Sequence, residues 1–445
     1  MHLLEKIIFS TAHEIQRPGF HNLYRFLLKN QWKPREVLLH EQSVRLRRMV
    51  HFCFNQVPFY KRRFKEIGIM PSDIRTVQDL EKLPPTTKDD LRKNKESVLP
   101  RGLNFRYYDR TTGGTTGNPL TFRISHEDRF LSGALLYRGW SGCGYRLGDR
   151  IFALAGSSLM DDFKDTTRRR VTEMTRNIRY VSAFKMNSRN LSRYVAMLNS
   201  LKPSFIRGYP SALHEFALFI ERHDLMTPDV KAVMVTSEKL YPDVRETLQR
   251  VFRAKVFDAY GANDGGIGAH EYECGNMHID TERGILEVVD ENNNQVASGE
   301  GHVLATSLEN FAMPFLRYDL GDQVTATDEQ CSCGRGLPLL KEVIGKTTSI
   351  LVMPNGTRVH GWFFQQVLRL VKEEVKQYRI VQETKDTIDI YIIPGPGFGE
   401  HSIELLRNVI GHTCSDWTLN FSIVDNIPQT DSGKAMTIMS KVKLS

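Results

Sequence analysis

Between residues 148 and 260, short apolar runs alternate with stretches of helical spacing. The runs include Arg150 to Leu154, Ser204 to Arg207, Ala232 to Thr236 and Lys255 to Ala259, and Tyr241 to Phe252 is one of the helical stretches. Apolar runs of this length belong to strands covered on both faces, and helices between them make parallel crossovers. The pattern predicts α/β units around a largely parallel sheet. Ligand sites in such sheets gather at the carboxyl ends of the strands. With 445 residues, the chain has room for a large core and at least two domains.

Either side of this stretch the pattern changes. Residues 35 to 70 read as helical, and Leu83-Pro84-Pro85-Thr86-Thr87-Lys88 reads as a break. Thr86 or Thr87 is placed to cap a helix beginning near Asp89. Beyond Gly345, Ser349 to Met353 and Thr357 to His360 flank Asn355-Gly356, a hairpin turn signal. Phe364, Val367, Leu368, Val371 and Val375 follow helical spacing, Thr387 to Ile393 alternates as a strand, His401 to Val409 reads as a helix and Asn420 to Val424 as a strand. These predict a small α+β domain over 345–445, after a large α/β domain over 1–344, with the boundary at Val343 to Lys346.

Composition excludes several classes. No apolar run approaches the length of a membrane helix. Charge interrupts Met1-His2-Leu3-Leu4-Glu5-Lys6 too early for a signal peptide, so a cytoplasmic protein is expected. Six scattered cysteines are not a disulfide framework. Sixty Lys plus Arg against 52 Asp plus Glu give a net charge of +8, which suits an anionic partner such as a nucleotide, coenzyme A or an acidic surface. Arg45, Arg47 and Arg48, and Arg168 to Arg170, read as solvated helix faces. No nucleic-acid-binding signature accompanies them.

The segment Asp109 to Pro119 holds eight Thr, Gly or Pro residues. Glycines bring backbone N–H groups close around an anion, and threonine hydroxyls add donors. The loop reads as a phosphate cradle. It is not a Walker loop, since Asn118-Pro119 stands where that motif needs Lys-Ser/Thr, and Leu120 to Ile124 looks like a strand. Four further segments accompany it: Thr236-Ser237-Glu238-Lys239-Leu240, Ala259-Tyr260-Gly261-Ala262-Asn263-Asp264, Arg317-Tyr318-Asp319-Leu320-Gly321-Asp322, and Ser432-Gly433-Lys434.

In that order these motifs resemble the adenylate-forming superfamily of acyl-CoA synthetases, peptide adenylation domains and luciferases. Val57-Pro58-Phe59-Tyr60, the Leu83-Pro84 to Lys88 segment and Arg207-Gly208-Tyr209-Pro210-Ser211 resemble its phenylacetate-CoA ligase branch, and most closely the CapK-like proteins of capsular polysaccharide biosynthesis. The likeness covers about residues 55 to 440. It implies an AMP-forming ligase that joins a carboxylate to the α-phosphate of ATP and passes the acyl group on, most simply to coenzyme A. By this resemblance Thr112, Gly113, Gly114, Thr115, Thr116 and Gly117 cradle phosphates. Asp264, where the family usually has Glu, binds Mg2+. Ser237, Glu238, Ala259, Tyr260 and Gly261 bracket the adenine, and Asp322 accepts from the ribose hydroxyls. Lys434 bridges the carboxylate and the α-phosphate. Lys346 stands where the family has Arg and Thr348 where it has Asp, so the charge near the nucleotide is kept without a bidentate fork. Tyr209, Pro210, Ser211, Asn263, Gly265 and Gly266 are expected to line the carboxylate pocket, with the paired glycines leaving room for a bulky acid. A homodimer is among the branch's habits.

Some members of the branch carry a structural zinc. Cys274, His278, Cys331 and Cys333 are the matching positions, with His270 as a competing histidine. Three thiolates and an imidazole make a closed tetrahedral site. Two rival functional readings stand beside coenzyme A transfer: transfer to an amine or hydroxyl acceptor on a sugar, and a nucleotide-binding scaffold without turnover.

Overall fold

The computed structural model describes residues 2–102, 104–112, 120–155, 167–183, 186, 188–346, 350–355, 358–360, 363–364, 367–368, 370–371, 373–413, 416–427 and 438–442. The chain divides into two compact units, Met1–Ile344 and Gly345–Ser445. No helix among the described residues is long and apolar enough to cross a membrane.

In the large unit, strands β1 (Tyr107–Thr111) and β2 (Thr121–Ser125) form an antiparallel hairpin. Then follow β3 (Ile151–Ala155), β4 (Ile178–Ser182), β5 (Phe205–Gly208), β6 (Ala232–Thr236), β7 (Lys255–Ala262), β8 (Ile267–Glu271) and β9 (Met277–Ile279). Next come β10 (Gly284–Val289), β11 (Gly299–Ser307), β12 (Tyr318–Ala326) and β13 (Leu339–Lys346). Among the described residues, β3 to β13 make one sheet in the order β10-β11-β12-β13-β9-β8-β7-β6-β5-β3-β4. The pairs from β4 to β7 are parallel, as the apolar runs predict. The pairs β7–β8, β8–β9, β9–β13, β10–β11 and β11–β12 are antiparallel.

The runs are largely apolar because each parallel strand feeds two cores. Phe152, Leu154, Ile206, Val233 and Val235 pack on one face, against Leu191 and Leu198 of helix Ser188–Leu201 and Leu213 and Phe216 of helix Pro210–Arg222. Ile151, Ala153, Phe205 and Met234 face the other way, onto Leu135, Tyr137 and Trp140 of helix His126–Ser141. Burying one such Phe or Leu side chain stabilises by about 1.5–3 kcal/mol. The helical stretch at 35–70 is two helices, Arg35–Gln56 and Pro58–Glu66, split where Pro58 opens the second. Thr87 caps helix Lys88–Lys93: its hydroxyl accepts from the N–H of Asp90 at 3.1 Å while the Asp90 carboxylate accepts from the N–H of Thr87 at 2.8 Å.

The small unit contains the hairpin β14 (Ile350–Val352) and β15 (Arg358–His360) around the Asn355-Gly356 signal. Beyond it lie β16 (Val375–Thr384), β17 (Thr387–Pro394), helix Glu400–Thr413, β18 (Thr418–Ile423) and β19 (Ile438–Ser440), with sheet order β18-β17-β16-β19. Val375 does not continue a helix. It opens β16, a strand the helical spacing concealed, while Phe364, Val367, Leu368 and Val371 do enter the core. The buried Gln382 side chain ties three strands together. Its Nε2 donates to the Val352 carbonyl at 2.6 Å, and its Oε1 accepts from the N–H of Val352 at 2.9 Å and the hydroxyl of Ser440 at 2.8 Å.

Candidate active site and metal centre

The carboxyl ends of β6 and β7 bring the central motifs together. After Thr236 the chain turns through Ser237, whose φ of 73° lies in the left-handed region. The turn sends Glu238 to the start of helix Pro210–Arg222, where its Oε2 accepts from the N–H of Ser211 at 3.0 Å. A carboxylate there satisfies a helix-terminal donor and complements the helix dipole. Tyr260 of β7 donates its hydroxyl to Oδ2 of Asp322 at 2.9 Å. Burial, then the Asp322 charge, pushes that phenol well above its ordinary pKa, so it stays a donor.

Four residues, Asn263 to Gly266, link β7 to β8. Asp264 on this turn accepts from the Tyr318 hydroxyl at 3.4 Å, and burial followed by Asp264 raises the Tyr318 pKa. Arg283 donates to both carboxylate oxygens of the buried Asp128, at 2.9 and 2.7 Å, and reaches Oδ1 of Asn263 at 3.4 Å. Gly265 has φ 114°, and a Cβ there would lie 2.5 Å from Cβ of Ala305. The absent side chain at Gly265 therefore opens no space. Its place is filled by Ala305, and glycine is needed for the turn and for close packing.

The start of β12 is fixed by the Leu83–Lys88 break. Thr86 donates its N–H to the Arg317 carbonyl at 2.8 Å, and its own carbonyl accepts from the N–H of Asp319 at 3.0 Å. Arg317, 1 % exposed, bonds the Leu83 carbonyl at 2.6 Å and pairs with Glu287 at 3.1 Å. A motif that reads as a mere break thus anchors the strand carrying Asp322.

Of the phosphate loop, Thr112 is placed at its neck, where it exchanges hydrogen bonds with Leu120: Thr112 N–H to the Leu120 carbonyl at 2.9 Å, and Leu120 N–H to the Thr112 hydroxyl at 3.0 Å. Gly113, Gly114, Thr115, Thr116 and Gly117 lie outside the described residues, as do Lys434 and Thr348. Lys346 is the last residue of β13. Pro210 and Ser211 begin their helix, and Tyr209 before them is fully buried in the core.

Against Thr236 and Ala259 lies a small cavity of about 20 Å3 that motif reading does not reveal. Arg207, Trp140, Asp258 and His270 also line it. Burial, then neighbouring Glu271, lifts the Asp258 carboxyl to about 7, against the pull of the Ala259 N–H and of Arg245. Arg207 belongs to a recognisable motif, but only its register on β5 directs it to this cavity.

The cysteine–histidine group forms a compact cluster. Donor atoms of Cys274, His278, Cys331 and Cys333 all lie within 4.8 Å of one another. Cys331 Sγ is 3.5 Å from Cys274 Sγ, and Cys333 Sγ is 3.4 Å from His278 Nε2. A tetrahedral zinc with bonds of about 2.0–2.3 Å spaces its ligands roughly 3.5–3.8 Å apart, so donor set and spacing fit that ion. His278 Nδ1 is 3.1 Å from the Asn276 carbonyl, an outer contact that aims Nε2 at the thiols. His270 turns away and meets Asp280 at 3.5 Å.

The chain matches the CapK C-terminal domain family over residues 351–441. It is 23% identical to Protein CapK of Staphylococcus aureus, across 90% of this chain and 89% of that one. It is 26% identical to a phenylacetate-coenzyme A ligase of Thermus thermophilus, across 80% of each. Among solved structures it resembles 2-hydroxyisobutyryl-CoA ligase in the postadenylation state with R3-HIB-AMP, at TM-score 0.72 and 19% identity over 93% of this chain and 91% of that one. It also resembles that ligase with 2-HIB-AMP and CoA in the thioesterification state, at TM-score 0.62 and 20% identity over 93% and 91%. The fold is that of the adenylate-forming CoA ligases.

Proposed function

We propose that the chain is an AMP-forming ligase that activates a carboxylic acid as its acyl-adenylate and transfers the acyl group to the thiol of coenzyme A. The observation that carries this reading is the meeting of the β6 and β7 ends with Asp264 and Asp322, each held by a tyrosine hydroxyl. The two reactants are anions, so catalysis rests on positioning and on positive charge. Ser237, Glu238 and Ala259 to Gly261 would frame the adenine. Tyr260 donates to one oxygen of Asp322 and orients the carboxylate, which would accept from the ribose hydroxyls. Thr112 to Gly117 would meet the phosphates, and Asp264 would hold magnesium, whose charge offsets theirs. Lys434 would span the carboxylate and the α-phosphate, with Lys346 adding charge nearby. The resemblance to CapK-like proteins leads us to place the reaction in capsular or exopolysaccharide biosynthesis.

The expected result is pyrophosphate release that needs ATP, magnesium and a carboxylic acid, with AMP release accelerated by coenzyme A. If no acid triggers pyrophosphate release, activation is excluded. If release occurs and coenzyme A has no effect, the acceptor is an amine or a sugar hydroxyl. That second reading is favoured by one observation, the departures from the family pattern at Lys346 and Thr348 near the domain boundary.

The same reading assigns Cys274, His278, Cys331 and Cys333 to a structural zinc that leaves no position open for substrate. The pure protein is expected to hold one zinc per chain. Chelation should lower the melting temperature by several degrees without changing the acid preference. Elemental analysis without zinc would remove the metal from this account.

A further inference from the structure

A cation stands beside the cluster of Cys274, His278, Cys331 and Cys333. Arg335 lies on the connection between β12 and β13 and is half-buried. Its guanidinium lies over two aromatic rings, 4.4 Å from the centre of Trp32 and 4.1 Å from that of Tyr272. Its Nε donates to Oε1 of the buried Gln31 at 3.1 Å, and its Nη1 donates to Sγ of Cys333 at 3.5 Å. Among the described residues no carboxylate is within ion-pairing distance of it. A partly buried charge without a counter-ion is costly.

The metal centre offers the counter-charge. Three thiolates and a neutral imidazole around a divalent zinc leave one negative charge, carried on the sulfurs. The other donors that reach these sulfurs are neutral amides. Asn276 Nδ2 meets Cys331 Sγ at 3.3 Å, and the N–H of Cys333 meets the same sulfur at 3.5 Å. Among the described residues Arg335 is the one cation that donates to a ligand sulfur.

The same side chain reaches a distant part of the chain. Gln31 and Trp32 belong to the turn between helix Phe20–Asn30 and helix Arg35–Gln56. Gly336, next to Arg335, donates its N–H to the Gln31 carbonyl at 3.0 Å, and a Cβ at Gly336 would collide with the Lys33 carbonyl oxygen. The metal loop and the turn therefore meet backbone to backbone. Tyr272 completes the contact, since its ring also meets His278 edge-on with centroids 4.9 Å apart.

Resting on the zinc assigned above, we infer that Arg335 is a positioning residue of the metal centre: its guanidinium offsets the charge of the zinc-bound thiolates at Cys333 and fastens them to the turn at Gln31 and Trp32. The centre then joins three stretches of chain: the β8–β9 turn, the β12–β13 connection and the turn between the two helices.

The test is zinc retention by the whole protein against a chromogenic chelator, with thermal unfolding followed alongside to show that each variant is folded. Arg335→Met keeps an apolar stem and removes the charge and the fork. It is expected to give up zinc at least about tenfold more readily, the usual loss when a partner of a metal ligand is removed. Arg335→Lys keeps the charge without the fork and should fall between the two. Trp32→Ala removes one face of the stack at an exposed ring and should shift retention the same way by a smaller factor. A folded Arg335→Met protein that holds zinc as tightly as the unaltered one overturns the inference, and so does a lysine variant no better than the methionine one. Should Arg335→Met not fold, unchanged retention in Trp32→Ala overturns it instead. An unaltered protein without zinc removes the zinc reading and this inference together, and leaves the ligase reading standing.

Discussion

Replacing Arg138 by methionine is expected to destabilise the large unit by about 3–5 kcal/mol, the usual cost of breaking a buried ion pair from one side. Arg138 is 0 % exposed. It donates to Oε1 of Glu282 and to Oδ1 of Asp280, each at 2.6 Å. Both carboxylates are themselves buried, and Glu282 also takes a 2.8 Å bond from Asn30 of helix Phe20–Asn30. One cation thus ties helix His126–Ser141 to the connection between β9 and β10. Methionine fills much the same volume but leaves two carboxylates facing each other without a charge between them.

The loss carries a pH signature. Burial raises the Asp280 pKa, while Arg138 and then His270 lower it, and the net direction is downward. A carboxyl with a depressed folded pKa contributes stability above its unfolded pKa and loses it as pH falls. Without Arg138 only burial and His270 remain, so the folded pKa rises and the variant binds protons on folding. The variant's deficit should therefore be largest near pH 7–8 and shrink towards pH 5. Urea unfolding at both pH values, read on a probe in the large unit, decides it. A deficit below about 1 kcal/mol, or one that does not change with pH, would mean that solvent already reaches the pair.

The same network explains which parts of the fold the amino-acid sequence discloses. Strands β3 and β5 to β7 are legible because they pack on both faces, so most of their positions are apolar. The stretch Asp280-Thr281-Glu282-Arg283 is polar throughout, yet all four residues are buried. Their partners, Arg138, Asn30 and Asp128, come from more than 140 positions away, and no local window contains them. β16 is hidden for a related reason. Only Ile380 and Val381 of Val375–Thr384 are deeply buried apolar residues, and Gln382, buried by its bonds to three strands, breaks the alternation.

The candidate site divides along the same line. Asp264, Asp322 and Tyr260 can be picked out by resemblance because chemistry restricts their type. Arg207 stands in a recognisable motif without a recognisable role. Its surroundings come from register: Phe205 and Arg207 share the face of β5 that looks onto Trp140, while Ile206 looks the other way. The paired glycines mislead in the opposite direction, since a glycine reads as room and Gly265 is instead packed on Ala305.

Lys434→Ala is expected to lower acid-dependent pyrophosphate release by about 10²–10³-fold, the usual loss on deleting one preorganised charge at a developing anion. The reason lies in the charges the large unit brings to the proposed nucleotide. Glu238, Asp264 and Asp322 are all carboxylates, so these motifs bring negative charge to a site that must join two anions. Magnesium at Asp264 would answer the phosphates, and the proposed role of Lys434 is to put a cation where the substrate carboxylate meets the α-phosphate. A lysine supplies a compact charge on a long stem, which suits a contact made only as the two anions close. The loss should therefore fall on kcat, with the KM for ATP and the melting temperature nearly unchanged. Given a chemically prepared acyl-adenylate, the variant should still release AMP on addition of coenzyme A, because that half-reaction joins a thiol to a carbonyl already activated. Full pyrophosphate release by the variant would take Lys434 out of the mechanism. Loss of both half-reactions together would assign it to holding the adenylate rather than to making it.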